Sequence, residues 1–341
     1  SDVYKRQVNA CALLDIGIEW LYPDDEQSYI ACNITAQQIS ERLAGQNGRI
    51  TAVYITSPDY LGNMQDIAAI ARACHESGAL LSVDNAHGAY LKFMPTPAHP
   101  MDLGADICCD SAHKTLGVIT GGAYLHISVS APAVLAERAK ASFSVFGTSS
   151  PSYLILQSLD AANGTTEAFR NELRTFLPEA DALKAKLAAH GFELAGSEAL
   201  KLTLKPKSFG YSGQDIAATL EAANIYPEFY DPDYIVLMLS PRHSERELDA
   251  LCDTLCSLPR RAPIVSAPPR MPRPERAISP REALLAAAEK VPLPRCLGHI
   301  SAASAIGCPP AIPIVIMGER INSAAIACLE YYGIESCMVV K

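Results

Sequence analysis

Short apolar runs that stop abruptly in ionisable residues alternate, along the first half of the chain, with stretches whose apolar positions recur at helical spacing. Residues 50–57 (Ile50, Ala52, Val53, Ile55) form one run, closed by Pro58. Residues 79–83 form a second, ending in Asp84, and residues 105–109 a third, ending in Asp110 and Ser111. A fourth covers 122–127. Between the first two, Ile67, Ile70, Ala71 and Cys74 fall on one face of a helix over 65–77, with Gly78 placed to cap it. Strand, helix and strand in alternation predict a mainly parallel α/β sheet. In such sheets ligands sit at the carboxyl ends of the strands, where these runs turn polar.

The flanking pattern extends this picture. Residues 8–16 read as the end of a helix, and 18–22 as a strand stopped by Pro23; 37–43 read as a helix ended by Gly45. Helices are expected over 131–141 and 153–162, with a polar loop at 147–153 between them. After Asn163-Gly164 the texture changes to an amphipathic helix over 166–189 that ends at Gly191. A strand over 199–205 alternates Leu200, Leu202 and Leu204 with polar residues, predicting one solvated face. A helix over 213–223 and a strand over 235–239 follow. Ser244 with Glu247 has capping-box spacing, as does Ser279 with Glu282, where Pro280 at the first helical position predicts a helix over 280–290. Residues 259–281, rich in Pro and Arg, read as an extended linker. The domain reading is 1–162 for a large domain, 163–258 for a small α+β domain, 259–281 for the linker and 282–341 for a C-terminal segment.

Composition narrows the class. With 341 residues, 49% hydrophobic and 19% charged, the chain can bury two domain cores. A net charge of −9 argues against nucleic acid or an anionic membrane surface as partner. No apolar run has the length of a membrane span, and the start lacks the pattern of a signal peptide. The 11 cysteines are scattered without a Cys-x-x-Cys pair, which predicts reduced thiols in the cytoplasm and no metal site.

The chemistry concentrates at two strand ends. Asp84 alone could cap a turn, and Lys114 alone could be a surface lysine. Together, 30 residues apart after successive buried strands and each beside a histidine, they match the needs of pyridoxal 5′-phosphate (PLP). A lysine amine condenses with its carbonyl, and a carboxylate keeps its pyridine nitrogen protonated. Ser111 and His113 could donate to its phosphate, His87 could reach its phenolic oxygen, and Ala86 leaves room for the ring face.

Val83-Asp84-Asn85-Ala86-His87-Gly88-Ala89 followed by Ser111-Ala112-His113-Lys114-Thr115 resembles the core of the PLP-dependent ornithine/lysine/arginine decarboxylases. The likeness extends to Ile55-Thr56-Ser57-Pro58, to Thr148-Ser149-Ser150-Pro151-Ser152-Tyr153, and to Gly298-His299-Ile300-Ser301-Ala302 with Pro309-Pro310-Ala311-Ile312-Pro313. It covers nearly the whole chain. The resemblance implies a fold type I, PLP-dependent transferase-like large domain with a smaller α+β domain. It implies decarboxylation of lysine, arginine or ornithine to a polyamine precursor. Lys114 would be the Schiff-base lysine, Asp84 the pyridinium partner, His87 the oxygen contact, and Ser111 and His113 the phosphate ligands. Thr148 and Ser149 would approach the active site of a second subunit in a homodimer. The proton returned to Cα would come from His113 or Lys114.

The chain also departs from the family pattern. Asn85 stands where Glu is frequent, Tyr90 where His is, Ala303 where Glu follows Ser-Ala, Cys308 where Tyr precedes the Pro pair, and Ala311 where Gly follows it. The family's upstream phosphate loop and ring-stacking histidine have no counterpart here, so the chain is read as an N-terminally truncated piece. Two alternatives stand beside the decarboxylase. One is another fold type I enzyme such as an aminotransferase, with Arg242 as the candidate for the substrate carboxylate. The other is a non-catalytic dimerisation or regulatory remnant.

Overall fold

The structure is a computed structural model that describes residues 3–23, 28–31, 33–46, 48–148, 150–303 and 313–341, with side chains from residue 7 onward. Helix α1 (Val3–Leu14) and helix α2 (Ala36–Leu43) precede the first sheet. That sheet holds β1 (Ala52–Thr56), β2 (Leu80–Asp84), β3 (Ile107–Asp110) and β4 (Tyr124–Ile127) in sequence order. The first three strands are parallel and β4 is antiparallel to β3, so the sheet is mixed and mostly parallel. Helix α3 (Ile67–Glu76) crosses from β1 to β2 and buries Ile67, Ile70, Ala71 and Cys74 together with Ile55, Leu81 and Val83. Its start is fixed by Asp66, whose carboxylate accepts the Ala69 amide, and its end by Gly78 at φ +73°.

The residues between β3 and β4 include one short helix, α4 (Ala112–Thr115). Next come α5 (Ala133–Phe146) and α6 (Tyr153–Gly164), neither of which buries a single residue. Helix α7 (Thr166–His190) ends in a left-handed Gly191, as its pattern predicts.

A second, antiparallel sheet is built from β5 (Glu193–Ala195), β6 (Lys201–Lys205), β7 (Phe229–Tyr230) and β8 (Ile235–Met238), in the order β5-β6-β8-β7. Helices α8 (Gly213–Ala222) and α9 (Glu245–Cys256) pack on it with α7. Both begin with capping boxes, Ser212–Asp215 and Ser244–Glu247. The remaining chain forms α10 (Pro280–Leu285), β9 (Ala288–Pro292), α11 (Ser323–Tyr331) and β10 (Ser336–Val340), with β9 antiparallel to β10 over its own small core.

Three expectations are corrected. Residues 18–22 form no strand; Arg276 instead takes the Ile18 carbonyl with its guanidinium. The Ser279–Glu282 capping box is present, but α10 stops at Leu285 because the following residues pair with β10. Strand β6 has no solvated face: Lys201, Leu202, Thr203 and Leu204 are all buried. The side that reads as polar lies against the loop after β1. Lys201 Nζ donates to the Asp59 carbonyl at 2.9 Å and Thr203 Oγ1 to the Leu61 carbonyl at 2.8 Å. The Pro/Arg-rich segment has no helix or strand up to Ser279, its last two residues opening α10; Arg261 and Arg260 lie over the rings of Tyr211 and Phe209.

Candidate active site

The parallel register brings the predicted residues together. Thr56 pairs with Asp84, and Asp84 with Cys109, so the ends of β1, β2 and β3 are level. Side chains alternate along a strand. Tyr54, Thr56 and Asp84 therefore share one face, while Cys108 and Asp110 share the other. Asp84 is buried; its Oδ1 accepts the Ala86 amide at 3.0 Å, and its Oδ2 accepts the Tyr54 hydroxyl at 2.7 Å and Gln7 Nε2 at 3.3 Å. Burial pushes its carboxyl above the usual range, and the Tyr54 and Ala86 hydrogen bonds and the Lys114 charge oppose this.

Lys114 sits in the single turn of α4, whose first residue follows Ser111; the Ser111 hydroxyl makes no capping bond. The Lys114 amine lies 2.7 Å from His87 Nε2. His87 is buried, with its ring edge-on to Tyr60 at 5.2 Å between centroids. Burial and the charges of Lys201 and Lys114 hold the imidazole well below its ordinary range, so it is neutral. A neutral ring accepting from the lysine at Nε2 carries its proton on Nδ1, and Nδ1 is buried without a partner. His113 directs Nδ1 to the Gly122 carbonyl at 2.9 Å, which makes Nδ1 its donor and leaves Nε2 available.

Ala86, His87, Ser111, His113 and Lys114 thus lie at the strand ends beside Asp84. Thr148 is exposed between α5 and α6, its hydroxyl accepting the Ser150 amide, and among the described residues no contact joins it to that group. Ser149 lies outside the described residues, as do Cys308 and Pro309-Pro310-Ala311-Ile312. Arg242 is exposed and pairs with Glu172 at 3.3 Å.

Several residues of the site are not marked by the sequence pattern. Tyr54 reads as one more residue of a buried strand, yet its hydroxyl reaches Asp84. Lys201 falls at a polar position of an alternating strand, yet it is buried and 5.6 Å from the Tyr60 ring centre. Glu228, by contrast, belongs to an acidic stretch with Asp231 and Asp233 that the sequence marks as able to hold a cationic side chain; it accepts from the Tyr60 hydroxyl at 3.2 Å.

On the opposite face of the sheet, His99, Cys108 and Asp110 are close enough to share an ion. Their wiring is that of a hydrogen-bond hub. Asp110 accepts from Asn85 at 2.7 Å, His99 at 3.0 Å and His126 at 2.9 Å. Burial opposes its ionisation, but these bonds outweigh it and hold the carboxyl well below the usual range. The Met101 amide donates to His99 Nδ1, so the ring proton sits on Nε2, the atom a metal would need bare.

The donor set fits PLP. A lysine amine, a buried carboxylate with lone pairs to spare for a ring N–H, and a buried imidazole N–H without a partner converge at three level strand ends. The sheet and its α+β companion define the class: the fold is that of the PLP-dependent fold type I enzymes. Lysine decarboxylase A from Pseudomonas aeruginosa superposes with a TM-score of 0.72 at 17% identity, covering 90% of this chain and 60% of that one. Serine palmitoyltransferase from Sphingomonas wittichii superposes at 0.53 and 15% identity, over 65% of this chain and 58% of that one.

The family follows from sequence. Residues 4–205 match the Orn/Lys/Arg decarboxylase major domain and residues 267–336 its C-terminal domain. The chain belongs to the Orn/Lys/Arg decarboxylase family. It is 30% identical over 330 residues to the uncharacterized protein YaaO of Bacillus subtilis, covering 90% of this chain and 67% of that one. To an arginine decarboxylase of Halalkalibacterium halodurans it is 29% identical, over 96% of this chain and 70% of that one. The chain therefore spans about two thirds of these relatives and 60% of the solved lysine decarboxylase. No helix among the described residues is long and apolar enough to cross a membrane.

Proposed function

We propose that this chain carries the PLP-binding core of a decarboxylase acting on a basic amino acid: lysine, arginine or ornithine. The observation that carries the reading is the Asp84–His87–Lys114 constellation at level strand ends, in a chain of this family. PLP supplies a carbonyl that condenses with an amine and a ring that accepts the electron pair released at Cα when CO₂ departs.

This chain's residues perform the supporting work. Lys114 provides the amine. Asp84, fixed by Tyr54 and the Ala86 amide, holds the pyridine nitrogen protonated. Ala86 is small enough to admit the ring face. His87 Nδ1–H would be the contact to the phenolic oxygen, which would satisfy the buried donor left unpartnered. Ser111 would bind the phosphate, and Thr148 and Ser149 would serve a partner subunit's site. His113 Nε2, the one ring nitrogen not engaged with Gly122, would either join Ser111 at the phosphate or, when protonated, supply the proton to Cα, for which the Lys114 amine is the alternative.

A homodimer accounts for α5 and α6. Phe143, Val145, Phe146, Tyr153 and Leu154 are all more than half exposed, and these helices flank the loop that holds Thr148. A second copy of the chain is the partner we assign to this face.

The test is CO₂ release from arginine, lysine and ornithine by the chain supplied with PLP. Release with the matching amine from at least one substrate is expected. Conversion to a 2-oxo acid without CO₂ would make it an aminotransferase, and no turnover by a folded, PLP-loaded chain would leave the non-catalytic remnant.

A further inference from the structure

The end of α9 brings two thiols together. Cys252 and Cys256 are four residues apart, so they share one face of the helix, and their sulfurs lie 3.9 Å from each other. Neither is in a disulfide. Two other buried thiols are directed at oxygens: Cys108 donates to Asp110 Oδ1 at 3.5 Å and Cys296 to the Val291 carbonyl at 3.3 Å. Cys252 and Cys256 meet each other instead. Cys252 is 8% exposed and belongs to the core beneath α9. Cys256, the last residue of the helix, is half-buried and opens the pair to solvent.

The spacing discriminates between the bonds such a pair can make. A disulfide needs sulfurs about 2 Å apart and β-carbons about 4 Å apart, whereas a helix holds the β-carbons of such neighbours roughly 5–6 Å apart. Closing one here would distort the turn. A single bridging atom fits: two bonds of about 2.3 Å, the length of a metal–thiolate bond, span sulfurs up to roughly 4.6 Å apart. Zinc would need four ligands, and among the described residues the pair belongs to no group of three metal-binding side chains. The surroundings also disfavour a charged occupant, since Leu248, Leu251 and Leu255 of the same helix lie in this core. Burial, the neighbouring thiol and Asp253 push the Cys256 thiol up, against Lys186, so it keeps its proton near neutrality.

We propose that Cys252 and Cys256 form a binding site for a trivalent organoarsenical, an uncharged ligand that takes two thiols on one atom. The chemistry balances without an oxidant. In R–As(OH)₂ both As–O bonds and both S–H bonds break, two As–S bonds form, and the thiol protons leave with the hydroxyls as two waters. Arsenic stays trivalent and the adduct is neutral, so no charge is left in the core. Two-point attachment outlasts one-point attachment when a monothiol competes, because a released sulfur is held beside the arsenic by the other. The site uses none of the residues placed at the strand ends, and it stands whether or not the chain releases CO₂.

The test uses the full, reduced chain and phenylarsine oxide. Excess 2-mercaptoethanol strips singly attached arsenical, small molecules are removed, and N-ethylmaleimide caps free thiols before digestion with trypsin. Cleavage after Arg246 and Arg260 isolates both cysteines on one peptide with no third. Mass spectrometry should find one phenylarsenic bridge on that peptide, released by 2,3-dimercaptopropanol. Cys252→Ser and Cys256→Ser should each lower the label roughly tenfold or more. Cys108 and Cys109 supply an internal control. They are adjacent on the peptide 93–114 but point to opposite faces of β3, so it should stay unlabelled. A folded chain with no arsenical on 247–260 overturns the proposal, as does label that survives in a serine variant or appears equally on 93–114. Should Cys252→Ser fail to fold, Cys256→Ser, at the half-buried helix end, decides alone: lost label supports the site and retained label overturns it.

Discussion

His87 Nε2 and Lys114 Nζ lie 2.7 Å apart, a contact that links the aspartate loop directly to the lysine turn. An ammonium only donates, so the imidazole must accept, and its remaining N–H points away from the lysine with no partner. A group that satisfies that donor gains a hydrogen bond and relieves a buried vacancy. Replacing His87 with Ala should weaken PLP retention roughly 10- to 100-fold, the value of a hydrogen bond to a charged group. Equilibrium dialysis against PLP measures it, and unchanged retention would remove His87 from the site.

Tyr54 offers a second test that leaves the core alone. Its hydroxyl donates to Asp84 at 2.7 Å, favouring the ionised carboxylate against the burial that opposes it. In Tyr54→Phe the carboxyl should titrate at still higher pH. PLP binding, which needs the ionised form, should fall about tenfold near neutrality and recover as pH rises. Parallel pH profiles for the variant and the unaltered chain would contradict this.

Strand ends and helix caps were legible in the sequence; the polar interior was not. The runs ending at Asp84 and Asp110 could be read because their apolar residues give way to polar ones where the strands end. Ser244–Glu247 and Ser279–Glu282 formed their capping boxes because the bond pattern is local. Lys201 and Thr203 misled because period-two alternation distinguishes apolar from polar residues but not water from a neighbouring loop's carbonyls. Only the tertiary bonds to Asp59 and Leu61 make that face an interior. The helix beyond Leu285 and the strand at 18–22 failed for the same reason: pairing with β10 and the Arg276 guanidinium outweighed local propensity.

Asp231 provides a prediction about stability. Two backbone amides bond its Oδ1, while its buried Oδ2 has no partner. Burial, with Asp233 adding to it, pushes its carboxyl up to about 7. Between its ordinary range near pH 4 and pH 7 the folded chain therefore keeps a proton that the unfolded chain has released, and stability falls as pH rises through that window. Asp231→Asn should melt together with the unaltered chain at pH 4 and roughly 5 °C or more above it at pH 8. Glu319, also pushed up to about 7 by burial, is the same in both chains and drops out of the difference. An equal gap at both pH values would contradict the assignment.

The dimer reading is tested on α5 and α6. Phe143→Asp with Leu154→Asp places charge on side chains that are 58% and 68% exposed, so the fold of one chain should survive. Light scattering should show the unaltered chain as a dimer and the variant as a monomer. A monomeric unaltered chain at tens of micromolar would remove the interface.

Whether Lys114 is the amine that meets PLP is decided by borohydride reduction of the chain mixed with PLP, followed by peptide mapping. A stable pyridoxyl label is expected on the peptide holding Lys114, lost in Lys114→Ala while that variant still folds. Label spread over surface lysines, or label undiminished in Lys114→Ala, would contradict it.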